Sequence, residues 1–275
     1  MSWWGKLVGG AFGFMLGGPL GAILGAALGH KFDKGLKGLP DDEGWDPGDQ
    51  ERVQTAFFTA TFSVLGHLAK ADGRVSADEI RLAEAVMAQM SLSEEMRKTA
   101  VRLFNNGKSP DFPLDQVITQ FRQECHRRQT LIRMFLEILI QGAYADGQMD
   151  RDEENLLLHI CQLLNISEFT FRQLERMIRA QTHGYRGGSQ YSGGAQRPPP
   201  RAPGLSLEDA YAILNVTQSA SDQEVKRAYR RLISQHHPDK LVSKGLPEEM
   251  MKLAAQKTDE IKKAYERVRE ARGTN

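Results

Sequence analysis

The sequence has very little cysteine: only Cys125 and Cys161 occur among its 275 residues. The two lie far apart, each inside an apolar helical pattern, which favours reduced thiols in a core over a disulfide. Because no Cys-x-x-Cys pair is present, a cysteine-rich zinc module is excluded. The scarcity of cysteine is typical of a chain that works in a reducing compartment.

An excess of charge of one sign is also absent. Lys and Arg number 36 against 35 Asp and Glu, which gives a formal net charge of +1. Such a balance does not favour a nucleic acid as partner. A single Arg-Gly-Gly sequence at Arg186 is too short to indicate RNA binding.

Motifs for nucleotide binding and for catalysis are missing as well. Gly107-Lys108-Ser109 imitates the end of a phosphate-binding loop, but Arg102 stands where the first glycine of that loop belongs. No set of titratable residues indicates covalent catalysis. We therefore expect no enzyme, no cofactor and no bound metal.

Charge is missing altogether from Leu7 to Leu28. As a helix this stretch would be roughly 33 Å long, enough for a hydrocarbon core of about 30 Å. We predict a transmembrane helix at residues 7–30, a short periplasmic segment at 1–6 and a juxtamembrane linker at 31–49. A cleaved signal peptide and a buried soluble helix are the alternatives. Lys31, Lys34 and Lys37 follow the stretch and favour a span whose C-terminal side is cytoplasmic.

Glycine recurs every four residues through the same stretch. Repeated G-x-x-x-G spacing leaves a strip without side chains, along which two helix backbones can approach closely in lipid. We predict a homodimer through the membrane, against the alternative of a glycine-tolerant single span. The glycines assigned to this interface are Gly9, Gly13, Gly17, Gly21 and Gly25.

Residues 50–182 show helical periodicity throughout and no strand pattern, which predicts an all-α domain. Residues 71–79 and 145–153 repeat an Ala-Asp-Gly sequence followed by an acidic helix start. In each copy the glycine is predicted to end one helix and a capping box to begin the next. The repeat resembles the TerB-like (tellurite-resistance) helical fold. It also imitates half of a calcium-binding loop, but oxygen ligands are missing before each Asp, so no metal is expected.

Residues 183–204 are rich in glycine and proline and are predicted to be a disordered tether. Its root-mean-square reach would be roughly 25 Å. The tether would let the C-terminal domain, residues 205–275, search the space around the helical domain.

A basic helix dominates the C-terminal domain. Ser221 and Glu224 form the pattern of a capping box. Four residues fall on one face at helical spacing, and the basic side chains point the other way. Pro238 stops the helix and is predicted to present the neighbouring tripeptide on a turn. The residues on the inner face are Val225, Ala228, Leu232 and His236.

The tripeptide His237-Pro238-Asp239, with flanking helices at 207–216 and 261–268, resembles the J-domain of the DnaJ (Hsp40) co-chaperones. Two departures from that family are a long loop from Leu241 to Pro247 and Thr258 at a position that is often aromatic. The resemblance implies a core of Tyr211, Leu214, Val225, Leu232, Ile261 and Tyr265.

With its apolar segment, TerB-like repeat and J-domain together, the whole chain resembles the membrane-anchored DnaJ-like co-chaperones of Gram-negative bacteria. The resemblance implies a single-pass protein of the bacterial inner membrane that makes a cytosolic Hsp70 (DnaK) hydrolyse ATP. The implied Hsp70-binding residues are His237, Pro238, Asp239, Lys226, Arg227, Tyr229, Arg230, Arg231 and Lys240. The alternatives are a scaffold that recruits a client or signalling protein through the TerB-like domain, and an envelope enzyme with an accessory J-domain.

Overall fold

Every regular element in the computed structural model is a helix, which confirms the predicted all-α class for the residues that the structure describes: 17–28, 49–71, 77–90, 92–126, 128–186, 205–242 and 251–273. The helices are α1 (Gly18–Leu28), α2 (Asp49–Leu68), α3 (Ala77–Gln89), α4 (Glu94–Gly107), α5 (Leu114–Glu124), α6 (Gln129–Ala143), α7 (Arg151–Leu163), α8 (Glu168–Arg186), α9 (Leu207–Ile213), α10 (Asp222–His236), α11 (Pro238–Val242) and α12 (Met251–Arg272). We call α2–α8 the helical domain and α9–α12 the J-domain.

Helices α2, α5 and α6 build the centre of the helical domain around three aromatic rings. Phe57 lies 6.1 Å from Phe121 and 6.4 Å from Phe135, both edge-on, and the Phe121 and Phe135 rings are 4.5 Å apart. All three are fully buried. Helix α6 is apolar on nearly every side, which is the pattern of a helix surrounded by others.

Helices α2 and α4 cross at two glycines. A Cβ on Gly66 would lie 1.9 Å from the carbonyl oxygen of Phe104, and a Cβ on Gly107 would lie 1.8 Å from that of Ser63. Any side chain at either position would therefore force the two backbones apart. Helix α2 packs most extensively against α4, so these glycines set the spacing of the domain's main helix pair.

The second copy of the internal repeat confirms its predicted helix start. The Asp150 side chain accepts a hydrogen bond from the Glu153 N–H, and the Glu153 carboxylate accepts one from the Asp150 N–H, which completes the capping box of α7. Gly147 has φ +112° in the turn before it, a conformation that favours glycine. Asp146 accepts from the Gln148 N–H, a local turn contact. The equivalent turn of the first copy, residues 72–76, lies outside the described residues.

Only residues 17–28 of the predicted span at 7–30 are described, and α1 covers Gly18–Leu28. Residues 7–16 lie outside the described part of the chain, and α1 packs against α2, α4 and α5. Leu20, Leu24 and Ala27 are buried there. Among the described residues, no helix has both the length and the apolar character that crossing a bilayer requires.

Polar side chains hold both ends of α1. The Gln120 amide donates to the Gly17 carbonyl and accepts from the Leu20 N–H, and Arg102 donates to the Ala27 carbonyl at 3.0 Å. These side chains satisfy backbone groups that a helix leaves open at its ends.

The last helix of the helical domain passes the predicted boundary at residue 183. Helix α8 continues to Arg186 and packs against α9, and its Ala180 is part of the J-domain core. The J-domain therefore lies against the helical domain in this structure, whereas the sequence predicted a domain that searches freely. The apolar contact made by the end of α8 explains the difference.

Both cysteines are free and buried, which confirms their interpretation as core thiols. Burial raises the pKa of Cys125 and of Cys161 to about 12. A thiol that ionises so late carries almost no thiolate at neutral pH and is chemically inert.

Candidate functional site

Helix α10 begins and ends as its sequence predicts. Ser221 accepts from the Glu224 N–H, and the Glu224 carboxylate accepts from the Ser221 N–H at 2.7 Å, which confirms the capping box. These hydrogen bonds hold the pKa of the Glu224 carboxyl below its usual value. The helix ends at His236, and His237 is extended with φ −63° and ψ 126° because it precedes a proline.

Pro238 begins a short helix instead of an open turn, which corrects the sequence-based prediction. The Lys240 and Leu241 N–H groups both donate to the His237 carbonyl at 3.1 Å, forming the one turn of α11. Proline suits the first position of a helix because its missing N–H would have had no partner there. The tripeptide is thus held between two helix ends, with Asp239 in the first turn of α11.

Asp239 is the exposed member of the tripeptide, and His237 and Pro238 are partly exposed. The Asp239 side chain is 83% exposed and that of His237 is 44% exposed. His237 Nδ1 accepts from the Asp239 N–H at 3.3 Å and lies 3.9 Å from Asp239 Oδ2. The carboxylate is positioned by the backbone while its oxygens face outward.

The basic residues predicted to dock on a partner form one exposed surface of α10. Lys226, Arg227, Arg230 and Arg231 are all exposed. Lys240 donates to Ser234 Oγ at 2.8 Å from the end of the same surface. The structure therefore places a row of cations beside the exposed Asp239 carboxylate.

Tyr229 differs from the basic residues of α10 because it is half-buried. Its ring stacks on that of Tyr265, with centroids 4.1 Å apart and planes 13° from parallel. The Arg269 guanidinium lies over the Tyr265 ring at 5.8 Å. Tyr229 therefore joins the basic surface to the J-domain core. Of the predicted core residues, Tyr265 is only half-buried, and the buried ones are Tyr211, Leu214, Val225, Leu232 and Ile261.

Thr258 has a role that the sequence did not predict. Its buried hydroxyl lies 3.0 Å from the His236 carbonyl and 2.8 Å from the Ala254 carbonyl, either of which can accept its proton. The hydroxyl thereby ties α12 to the end of α10. The departure from an aromatic residue at this position was the one available signal, because an aromatic ring could not make this bond.

His236 also contacts a residue that sequence reasoning missed. Its Nε2 lies 3.8 Å from Glu137 Oε1 on α6, and the two side chains are 3% and 2% exposed. Burial lowers the pKa of His236, with Lys257 and Arg133 acting in the same direction and Glu137 and Glu260 opposing them. Nothing in the local sequence links positions that are so far apart in the chain.

The predicted dimer glycines are only partly described. Gly9 and Gly13 lie outside the described residues. Gly17 precedes α1 with φ +55°, Gly21 is buried within α1, and Gly25 is half-buried. The homodimer stays a prediction.

Family-level comparisons match three parts of the chain. The model of the tellurite resistance protein TerB matches residues 58–176, that of the co-chaperone DjlA transmembrane domain matches residues 1–39, and that of the DnaJ domain matches residues 209–271. The three matches follow the predicted order of apolar segment, TerB-like domain and J-domain.

Several bacterial proteins are similar over nearly the whole chain. The co-chaperone protein DjlA of Coxiella burnetii is 45% identical over 275 residues, with 99% of each chain covered. That of Photobacterium profundum is 45% identical over 280 residues, covering 98% of this chain and 99% of the relative. That of Haemophilus influenzae is 44% identical over 237 residues, covering 80% and 81%. No solved structure matches the chain significantly.

Proposed function

Because the chain belongs to the DjlA family of co-chaperones, we propose that its J-domain binds a cytosolic Hsp70 (DnaK) and stimulates ATP hydrolysis by that Hsp70. The observation that carries this proposal is the exposed Asp239 carboxylate beside the row of cations on α10. In this proposal the hydrolytic chemistry belongs entirely to Hsp70, and the chain acts as a regulator without catalysis of its own.

The two parts of the site have different tasks. Exposed cations on α10 attract an acidic surface and speed the encounter, an effect that salt weakens. The Asp239 carboxylate, fixed at the start of α11, accepts a charge-assisted hydrogen bond from a cation on Hsp70. The cations thus set the rate of association, and the Asp239 contact sets how strongly the bound J-domain stimulates ATP hydrolysis.

Single-turnover ATP hydrolysis by Hsp70, titrated with the full-length protein in detergent, tests the proposal. Asp239→Asn should lose roughly 1.5 to 3 kcal/mol of coupling, or about ten- to over a hundredfold in stimulation. Asp259→Asn is the matched control because it removes another exposed J-domain carboxylate, which pairs with Lys263 at 2.7 Å. If the wild type and a folded Asp239→Asn variant stimulate Hsp70 equally, the tripeptide only ends α10 and has no part in activating Hsp70.

Arg231→Ala separates the two tasks in the same assay. Its exposed charge acts by steering, so the variant should associate more slowly and depend less on salt. Its maximal stimulated rate should be unchanged. A fall in the maximal rate instead would assign Arg231 to the activating contact.

We further propose a single-pass topology in the bacterial inner membrane, with residues 1–6 periplasmic and the bulk of the chain cytoplasmic. The match to the DjlA transmembrane domain and the lysines that follow residue 30 support it. Insertion of residues 7–30 would require α1 to leave the helical domain, and lipid would then surround Leu20 and Leu24. Protease added to spheroplasts should leave the J-domain intact. Digestion of the J-domain under these conditions would show that the chain has the opposite orientation in the membrane.

We also propose a homodimer through the membrane, which the four-residue glycine period supports. Gly9→Leu with Gly13→Leu is the clearer test, because Gly21 is buried against the helical domain in the described structure. The two leucine side chains should keep the helix backbones apart and reduce cross-linking between copies in membranes. Unchanged cross-linking would exclude the strip as the interface.

A further inference from the structure

The J-domain meets the helical domain beside its tripeptide. Leu241, two residues after Asp239, and Ala254 belong to the hydrophobic cluster of the helical domain, separate from the J-domain core. Both are fully buried. On the other side of the tripeptide, His236 is buried against α6. Both flanks of the exposed tripeptide are therefore held by the neighbouring domain.

Glu137 is the unusual residue in this contact. It lies in the middle of α6, whose buried residues are otherwise apolar from Leu131 to Ile140. A buried carboxylate is retained at a cost unless charged or polar partners surround it. Within its own helix Glu137 has Arg133, whose Nε is 3.6 Å from Oε1. Across the domain boundary, Glu137 Oε1 lies 3.8 Å from His236 Nε2.

Charges of both signs surround His236. Arg133 and Glu137 face it from α6, and Lys257 and Glu260 face it from α12, where their side chains are 3.8 Å apart. These four charges balance, which suits a neutral imidazole at the centre. The His236 ring therefore bridges two helices of different domains and stands directly before His237.

The polar atoms of this contact are incompletely satisfied. Among the described residues, Glu137 Oε1, Arg133 Nε and both ring nitrogens of His236 are buried without a hydrogen bond. Buried polar atoms without partners are rare in protein interiors and call for an explanation. Here the charged groups attract one another at 3.6 to 3.8 Å instead of forming hydrogen bonds.

We propose that Glu137 of the helical domain is a positioning residue for the J-domain: through His236 it holds the end of α10, from which the tripeptide projects. The inference rests on the proposed function and deepens it. Because the exposed surface of α10 and the Asp239 carboxylate stay open in the docked arrangement, docking orders the tripeptide without covering it. A tripeptide that is already ordered loses less conformational freedom when it binds Hsp70.

The test is single-turnover ATP hydrolysis by Hsp70 against the concentration of full-length protein in detergent. Glu137→Gln should raise the half-stimulating concentration about three- to tenfold, because the tripeptide must then become ordered when it binds Hsp70. The maximal stimulated rate should stay at the wild-type value because Asp239 is unchanged. Glu124→Gln is the matched control: this carboxylate is also shielded, at 13% exposure, and pairs with Arg52 at 2.8 Å inside the helical domain. It should leave the half-stimulating concentration unchanged.

His236→Gln removes the same contact from the J-domain side. It replaces Glu137→Gln as the test variant if Glu137→Gln does not fold. Combined, the two substitutions should raise the half-stimulating concentration no further than His236→Gln alone, because they remove one contact. Hydrogen exchange gives an independent measurement. The Lys240 and Leu241 amides, which donate to the His237 carbonyl, should exchange faster in Glu137→Gln.

Three outcomes would overturn the inference: a wild-type half-stimulating concentration in folded Glu137→Gln, additive effects of the two substitutions, or unchanged exchange of the two amides. Stimulation that increases in Glu137→Gln would overturn it too, because the contact would then restrain the J-domain. A wild-type protein that fails to stimulate Hsp70 would instead refute the proposed function.

Discussion

The interior of the helical domain and its contact with the J-domain are both closed to water, yet they are built differently. The interior rests on the Phe57, Phe121 and Phe135 rings and on the close backbone crossing at Gly66. The contact places charged and polar groups around His236, and several of their atoms have no hydrogen bond to any residue that the structure describes. The first is held by close packing, and the second by attraction between charged and polar groups of two domains.

The largest effect should come from the interior. In Gly66→Ala the new Cβ would meet the Phe104 carbonyl, and separating two backbones should lower the free energy of unfolding by about 3 kcal/mol. Helix propensity alone predicts the opposite sign, because Ala is about 1 kcal/mol better than Gly within a helix. Denaturant unfolding of the full-length protein distinguishes the two. A variant more stable than the wild type would show that the crossing is looser than described.

A smaller effect is expected where the contact meets the J-domain. Thr258→Val keeps the shape of the side chain but removes the hydroxyl that reaches the His236 carbonyl. We expect the J-domain to lose about 1 kcal/mol of stability, the value of one neutral hydrogen bond. Thr217→Val is the control, since that hydroxyl is exposed and bonds only to Ser219 Oγ within the described chain. Equal loss in both variants, measured by thermal unfolding, would contradict the assigned tie between α12 and α10.

The smallest effect should follow pH. The pKa of His236 is lowered from 6.5 in the folded protein, first by burial and then by Lys257 and Arg133, with Glu137 and Glu260 opposing. Its stabilising contribution is thus complete above pH 6.5 and is lost as the pH falls from there towards the lowered pKa, because the unfolded chain takes up the proton first.

His236→Gln isolates this contribution. The pKa of His67 is lowered too, so the wild type alone would report two groups. The thermal stability of His236→Gln should fall less steeply than that of the wild type between pH 7 and 5.5. Parallel curves would show that His236 is not held neutral by the contact.

Local signals in the sequence predicted most of the fold. The capping boxes of α7 and α10, the inner face of α10 and its end before Pro238 depend on residues a few positions apart, and these are found as predicted. The exposed tripeptide and basic surface follow from the same spacing. The start of α11 at Pro238 was missed because a proline that stops one helix can also begin the next.

Contacts between distant residues could not be predicted. Glu137 lies in an apolar helix and His236 ends a basic one, so the sequence around either residue does not indicate that the two are in contact. The docking of α1 has the same cause, since an apolar glycine-rich helix suits lipid and a protein groove alike. The extension of α8 to Arg186 was missed because glycine and proline composition marks where a linker lies better than where it starts.

The connection between α8 and α9 affects how strong the domain contact has to be. Residues 187–204 join the two domains in one chain, so the J-domain faces the helical domain at a local concentration of roughly millimolar order. A contact whose dissociation constant between separate molecules is only about 1 mM, equivalent to roughly 4 kcal/mol, would then be half formed. The same two domains mixed as separate chains at micromolar concentration would remain apart. The covalent link thus allows a weak contact to be occupied and still exchange rapidly.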